Sequence, residues 1–194
     1  MISIRLILLL LLSLPLATLA EEPSPPETRR ARSDTYPLSV AMPPEWESFQ
    51  ADPRVQGEVL FLQSPESGPL DATVRLSAFS PPRVWDDLLR RETYQLVVEL
   101  DAPILVNEAL TLRGAKGHKW VYRSVSSQGQ SQVHYRLYLN LPAAVGPHRL
   151  LVMHATAPAE QAETALPLFG SLARSLAWGM DASASTPPQE SAAP

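Results

Sequence analysis

Two histidines, His134 and His154, form the pair with the most obvious chemistry in this chain. Each lies in a segment of alternating character, residues 131–141 and 148–157. If these segments pair as antiparallel strands about a loop centred near Ala144, the two imidazoles stand directly opposite each other. Opposed residues hold their Cβ atoms about 4.5–5.5 Å apart, near enough for both rings to reach one Zn²⁺ or Cu²⁺ ion. Folding the preceding hairpin about Gln128 places Tyr122 beside His134 on the same row. A metal centre then needs a third ligand, and no acidic residue falls on that row. The residues therefore favour two ordinary sheet histidines, hydrogen-bonded or half exposed. A slip of one residue in register would send the rings to opposite faces.

Two other groups could bind something. Arg113, Lys116, His118 and Lys119 surround Gly114-Ala115-Lys116-Gly117, which reads as a turn between strands. Successive turn N–H groups beside cations can hold an anion or a lipid headgroup, and the alternative is a solvated hairpin tip. A G-x-x-G loop that grips RNA joins helices, so RNA binding is rejected here. Trp120 and Tyr122 share one strand face, and His134, Arg136 and Tyr138 share one on the next strand. Trp120, Tyr122, Arg136 and Tyr138 are thus either an exposed row for a protein partner, rich in the residue types of binding hot spots, or part of a core beneath a helix.

Several chemistries are excluded or lack their motifs. Without cysteine there is no thiol nucleophile, thiolate zinc site or iron–sulfur cluster. The sequence contains no G-x-S-x-G elbow, no G-x-x-x-x-G-K-[ST] loop and no H-E-x-x-H helix. No catalytic set and no cofactor is expected.

The elements that would position these residues lie between two unusual ends. Residues 1–20 place Arg5 before an apolar run over residues 6–12, then Pro15 and the small residues Thr18 and Ala20. That pattern is a secretory signal peptide cleaved after Ala20, too short for a bilayer core of about 30 Å. Lacking cysteine, the exported protein would carry no lipid anchor and would be periplasmic, with no membrane span. Removing Arg5 from 16 basic residues leaves 15 against 20 acidic ones, a net charge of −5 that argues against nucleic acid as a partner. Residues 21–33, EEPSPPETRRARS, and residues 181–194, DASASTPPQESAAP, cannot bury enough apolar surface to offset about 1–2 kcal/mol of backbone entropy per residue. Both are expected to be disordered, which leaves one folded domain over residues 34–180, and no internal repeat is visible.

Within that domain, residues 36–42 read as a first strand that stops at Pro43-Pro44. Trp46 and Phe49 follow in a turn and plug one end of the core. Residues 57–64 and 72–79 are strand-like, the latter with Ala72, Val74, Leu76 and Ala78 on one face. Ser80 is read as the cap of a helix running to about Glu99, with Asp86 and Asp87 near its start. Strands follow over residues 104–112, 116–126, 131–141 and 148–157. Leu166, Phe169, Leu172, Ala173 and Leu176 then mark a helix kinked or started near Pro167 and ended by Gly179. The fold class is α+β, with a mostly antiparallel sheet of about six to seven strands and two main helices.

This order of elements resembles the PsbP/DcrB-like family. In that family an opening strand ends in a P-x-G-W-like motif; here Pro43-Pro44-Glu45-Trp46 stands in its place, with Glu45 for the glycine. Leu112-Arg113-Gly114-Ala115-Lys116-Gly117 is similar to the family's glycine turn, and Leu168-Phe169-Gly170-Ser171-Leu172-Ala173-Arg174-Ser175-Leu176 to its closing helix. The likeness spans residues 36–178 and implies an α/β/α sandwich. It also implies an accessory or interaction role without shared catalytic residues. The expectation is an exported, non-enzymatic accessory protein that binds another envelope protein, the alternative being a periplasmic carrier of a small apolar or lipid ligand.

Overall fold

Alternation of apolar and polar residues sorts the strand side chains onto two faces, and each face finds a different cover. The computed structural model describes residues 28–126, 128–179 and 182. The apolar leader at residues 1–20, most of the proline-rich segment and nearly all of the C-terminal tail lie outside the described residues. Among the described residues, ten strands form two sheets. In chain order they are β1 (Arg29–Arg32), β2 (Leu38–Met42), β3 (Glu47–Gln50), β4 (Glu58–Gln63), β5 (Thr73–Phe79), β6 (Ile104–Leu112), β7 (Ala115–Val125), β8 (Ser131–Asn140), β9 (Leu150–Pro158) and β10 (Ala177–Trp178). Helix α1 (Trp85–Tyr94) runs into a π turn (Gln95–Glu99), and helix α2 (Ala162–Ser175) follows β9.

The larger sheet has seven antiparallel strands in the order β3-β4-β5-β9-β8-β7-β6; the smaller has the order β1-β2-β10. One face of the large sheet carries Leu60, Leu62, Val74, Leu76, Leu151, Met153, Ala155, Val133, Leu137 and Leu139, all buried. It packs on α2 through Ala165, Phe169, Leu172 and Leu176, and on Leu38, Val40, Met42 and Trp46. The other face is covered by α1 and the π turn over a second core of Leu88, Leu96, Trp120, Tyr122, Tyr138 and Leu150. The layers are those of an α/β/α sandwich.

The seven strands are not the seven expected. The opening strand leaves the large sheet at the Pro43-Pro44 corner and pairs instead with β1 and β10. Its place is taken by β3, which lies where a turn was expected. Phe49 is therefore no core plug: it stands 44 % exposed on this edge strand and stacks on Phe61, while Trp46 alone is buried. Residues 29–32, expected to be disordered, form β1. Ladder bonds to β2, and Arg30 donating to Ser39 Oγ and to the Ser175 carbonyl at 2.9 Å, supply what apolar content does not. At the other end Ala182 is buried, its N–H bonded to Gly179.

Helix α1 starts five residues after Ser80, without a side-chain cap at Val84. Ser80 and Pro81 each precede a proline, which disfavours the helical region at both positions. The β-branched Val97 and Val98 sit in the π turn, which Leu100 N–H closes onto Gln95. Helix α2 starts at Ala162 and includes Pro167. It ends at Ser175 rather than at Gly179, because β10 must reach β2; Gly179 follows that strand with φ 69°.

Candidate functional site

The chemistry-bearing side chains gather on the face of the large sheet beneath α1. The hairpin of β7 and β8 folds about Gln128, as its alternation requires, and pairs Tyr122 with His134. Between β8 and β9 the register is two residues away from the expected one: His134 opposes Thr156, and His154 opposes Arg136. The 3₁₀ turn Ala143–Val145 sets this offset. An even shift keeps both histidines on one face. They meet as diagonal neighbours, with His134 Nδ1 3.1 Å from His154 Nε2.

The rest of the cluster follows from cross-strand rows. Tyr122 and His134 stack with ring centres 4.6 Å apart, and Ser124 Oγ lies 2.7 Å from His134 Nε2. The tautomers that satisfy the set have Ser124 donating to His134 Nε2 and His134 Nδ1–H donating to His154 Nε2. The next row reads Arg75, His154, Arg136, Trp120 across β5, β9, β8 and β7. Both arginines thus flank one imidazole. Above them, Glu92 of α1 accepts from Arg136 Nη1 at 3.2 Å and from the Tyr138 hydroxyl at 2.8 Å, both on Oε2.

Burial and positive neighbours set the protonation states. The pKa of His134 is lowered to about 4, first by burial and then by Arg136. That of His154 is lowered to about 3, by burial, then Arg136, His134 and Arg75. Burial and the nearby Glu92 carboxylate raise the Tyr138 phenol, and burial raises Tyr122. Two neutral imidazoles beside two guanidinium groups are a poor home for a metal cation. Among the described residues no three His, Asp or Glu side chains converge to hold one.

The aromatic row is core, not an exposed docking surface. Trp120, Tyr122 and Tyr138 are buried under Leu88 and Leu96, and Arg136 is 18 % exposed. The basic turn is dispersed too. The chain reverses in two residues, Arg113 and Gly114, with φ of 47° and 78°, so Lys116, Gly117, His118 and Lys119 already belong to β7. Lys119 points to the α2 side and pairs with Glu108, Lys116 lies over Trp85, and His118 Nε2 is 2.6 Å from Asn107.

Two residues that sequence reasoning missed are central. Glu92 falls between Leu88 and Leu96 at helical spacing, an acid on an apolar stripe, which was a readable signal. Arg75 lies opposite the apolar face of its strand, a position that looks like ordinary solvent exposure until the fold places His154 beside it.

Two open cavities of about 600 and 670 Å³ flank this cluster and share Arg136 and His154. The first runs under α1 past Phe79, Leu88, Leu150 and Val152; the second opens between Leu100 and Val125.

No family model and no curated protein matches the chain. Three solved structures share its architecture. The solution structure of cyanobacterial PsbP (CyanoP) from Synechocystis sp. PCC 6803 is 12% identical, with a TM-score of 0.53, covering 81% of this chain and 95% of that one. PA94 from Pseudomonas aeruginosa, a protein of unknown function, is 13% identical with a TM-score of 0.55, covering 78% and 96%. LpqN of Mycobacterium tuberculosis, involved in cell envelope biogenesis, is 13% identical with a TM-score of 0.51, covering 81% and 86%.

Proposed function

We propose that this chain, which has the PsbP-like fold, serves as an exported, non-enzymatic accessory protein that binds another envelope protein. The observation that carries the reading is where its exposed apolar side chains lie. Tyr94, Val97, Val98 and Leu100 project from one short stretch of α1 and the π turn, with exposures of 49–57 %. Leu105 follows on the edge strand β6, and Val125 shares a cavity wall with Leu100. Among the described residues β6 is an edge strand whose outer main-chain groups pair with no other strand, an edge that an extended segment of a partner can extend. Exposed apolar side chains beside an open sheet edge support a protein surface. The leader-like sequence and the envelope role of LpqN support the compartment.

The alternative, carriage of an apolar or lipid molecule, calls for an enclosed apolar pocket. The cavities here are open and have charged floors, so carriage of a wholly apolar molecule gains no support from them. The test of the leading one is photo-crosslinking in intact cells from a probe at Val98, with a probe at Phe49 on the opposite sheet edge as control. One reproducible envelope protein captured from Val98 and not from Phe49 is expected, and Val97→Asp should abolish its capture. Equal capture from both positions would defeat the reading.

A further inference from the structure

We propose that the cleft between α1, the π turn and the large sheet is a binding site for an organic oxyanion, a carboxylate or phosphate group, held by Arg136, Arg75 and His154. The site adjoins the docking surface proposed above, since Leu100 and Val125 line its second cavity, but it does not rest on that reading.

Charge is the first argument. The residues lining the two cavities include four arginines (Arg75, Arg91, Arg123 and Arg136) and two carboxylates (Glu92 and Asp101). The cleft therefore carries a net +2 in a chain whose net charge is −4. Such a reversal focuses the field where anions would enter.

Geometry is the second argument. Arg75, His154 and Arg136 are consecutive in one cross-strand row, so their Cβ atoms are spaced at about 5 Å intervals on the same face. The arginines are oriented by acids without being used up by them. Arg136 gives one N–H to Glu92, whose same oxygen also serves Tyr138, and Arg75 Nε forms an ion pair with Glu58, its guanidinium lying 5.6 Å over the Phe61 ring. A guanidinium has five donors, and the two terminal nitrogens of Arg75 remain for an oxyanion. Glu92 and Glu58 thus act as positioning residues that aim the arginines.

Apolar walls supply the third argument. Phe79, Leu88, Leu150 and Val152 line the cavity beside this row, so an oxyanion carried on a short apolar body suits it better than a bare ion. The groups facing His154 are Arg75 from β5, Arg136 and His134 from β8, Tyr122 from β7 and, through Arg136, Glu92 from α1. A bound anion offsets the two cations, so the imidazoles can take up protons as it binds. Affinity should then rise as pH falls from 7.5 to 5.5.

Of the four tryptophans in the chain Trp120 pairs with Arg136 across the strands, so intrinsic fluorescence, read against a Trp120→Phe control, supplies the readout. Purified protein is titrated with decanoate, with inorganic phosphate and with 1-decanol. Decanoate is expected to bind at least tenfold more tightly than decanol, and more tightly at pH 5.5 than at 7.5. Arg136→Gln and, separately, the half-exposed Arg75→Gln should each weaken it about tenfold or more. Phosphate binding with the same arginine dependence would show that the oxyanion alone suffices, and binding of decanoate without phosphate would place that group on an apolar ligand. Equal binding of decanol and decanoate, binding of neither anion, or indifference to Arg75→Gln would overturn the proposal.

Discussion

The pH dependence of His134 and His154 follows from their surroundings. Both are held neutral in the folded protein, with pKa values of about 4 and about 3, against about 6.5 in the unfolded chain. Unfolding therefore takes up protons as pH drops below about 6.5. Their contribution to stability is complete above that pH and declines as pH falls toward the folded values. Between pH 7.5 and 4.5 the expected loss is up to about 2–3 kcal/mol per histidine, since each pH unit of difference is worth about 1.4 kcal/mol. Urea unfolding should show this loss, and the His134→Gln, His154→Gln double variant should flatten it. A wild-type profile that is already flat over this range would contradict the buried, neutral pair.

At the scale of elements, the β7–β8 contact is a tight joint. A Cβ on Gly117 would lie 2.9 Å from the Tyr138 carbonyl oxygen and 2.7 Å from a Leu139 methyl. Leu139 can move; the backbone cannot. Gly117→Ala should therefore destabilise the protein by about 1–3 kcal/mol, the usual cost of overpacking, measured by thermal or urea unfolding. Gly114→Ala makes a contrast, since no atom lies within 4 Å of its added carbon and only the positive φ of 78° opposes it. The same joint carries the site, because Tyr122, His134, Trp120 and Arg136 all face α1 from these two strands. A shift there would disturb Trp120 fluorescence before the protein unfolds.

At the scale of the whole molecule, the small sheet joins both ends of the described segment to the α2 side of the core. β1 and β10 both pair with β2, and Arg30 joins Ser39 to the last turn of α2. A protein beginning at Asp34, the boundary that composition suggests, should lose β1 and expose the edge of Val40. We expect a cost of about 2 kcal/mol, or a melting temperature lower by about 4–8 °C for a domain of this size. Calorimetry of the two lengths decides it; equal melting temperatures would show that β1 contributes nothing.

Much was legible in the sequence because it depends on neighbours a few residues away. Period-two alternation located β4 to β9 within a residue or two, the 3.6 period located the buried face of α2, and the α+β class followed from their order. The Tyr122–His134 pairing was legible as well, since a short hairpin loop leaves few registers. The rest depended on contacts between distant segments. Nothing local says that Pro43-Pro44 sends β2 to a second sheet, or that arginine-rich residues 29–32 will be ordered by a ladder and a carbonyl of α2. Alternation shows which residues share a face and not what covers that face. Only α1, docking over Trp120 and Tyr138, turned an apparent display of aromatic residues into core. Tertiary structure alone then set Arg75 and Arg136 on either side of His154, because β5 lies more than fifty residues before β8 and β9 in sequence and the chemistry belongs to the assembled row.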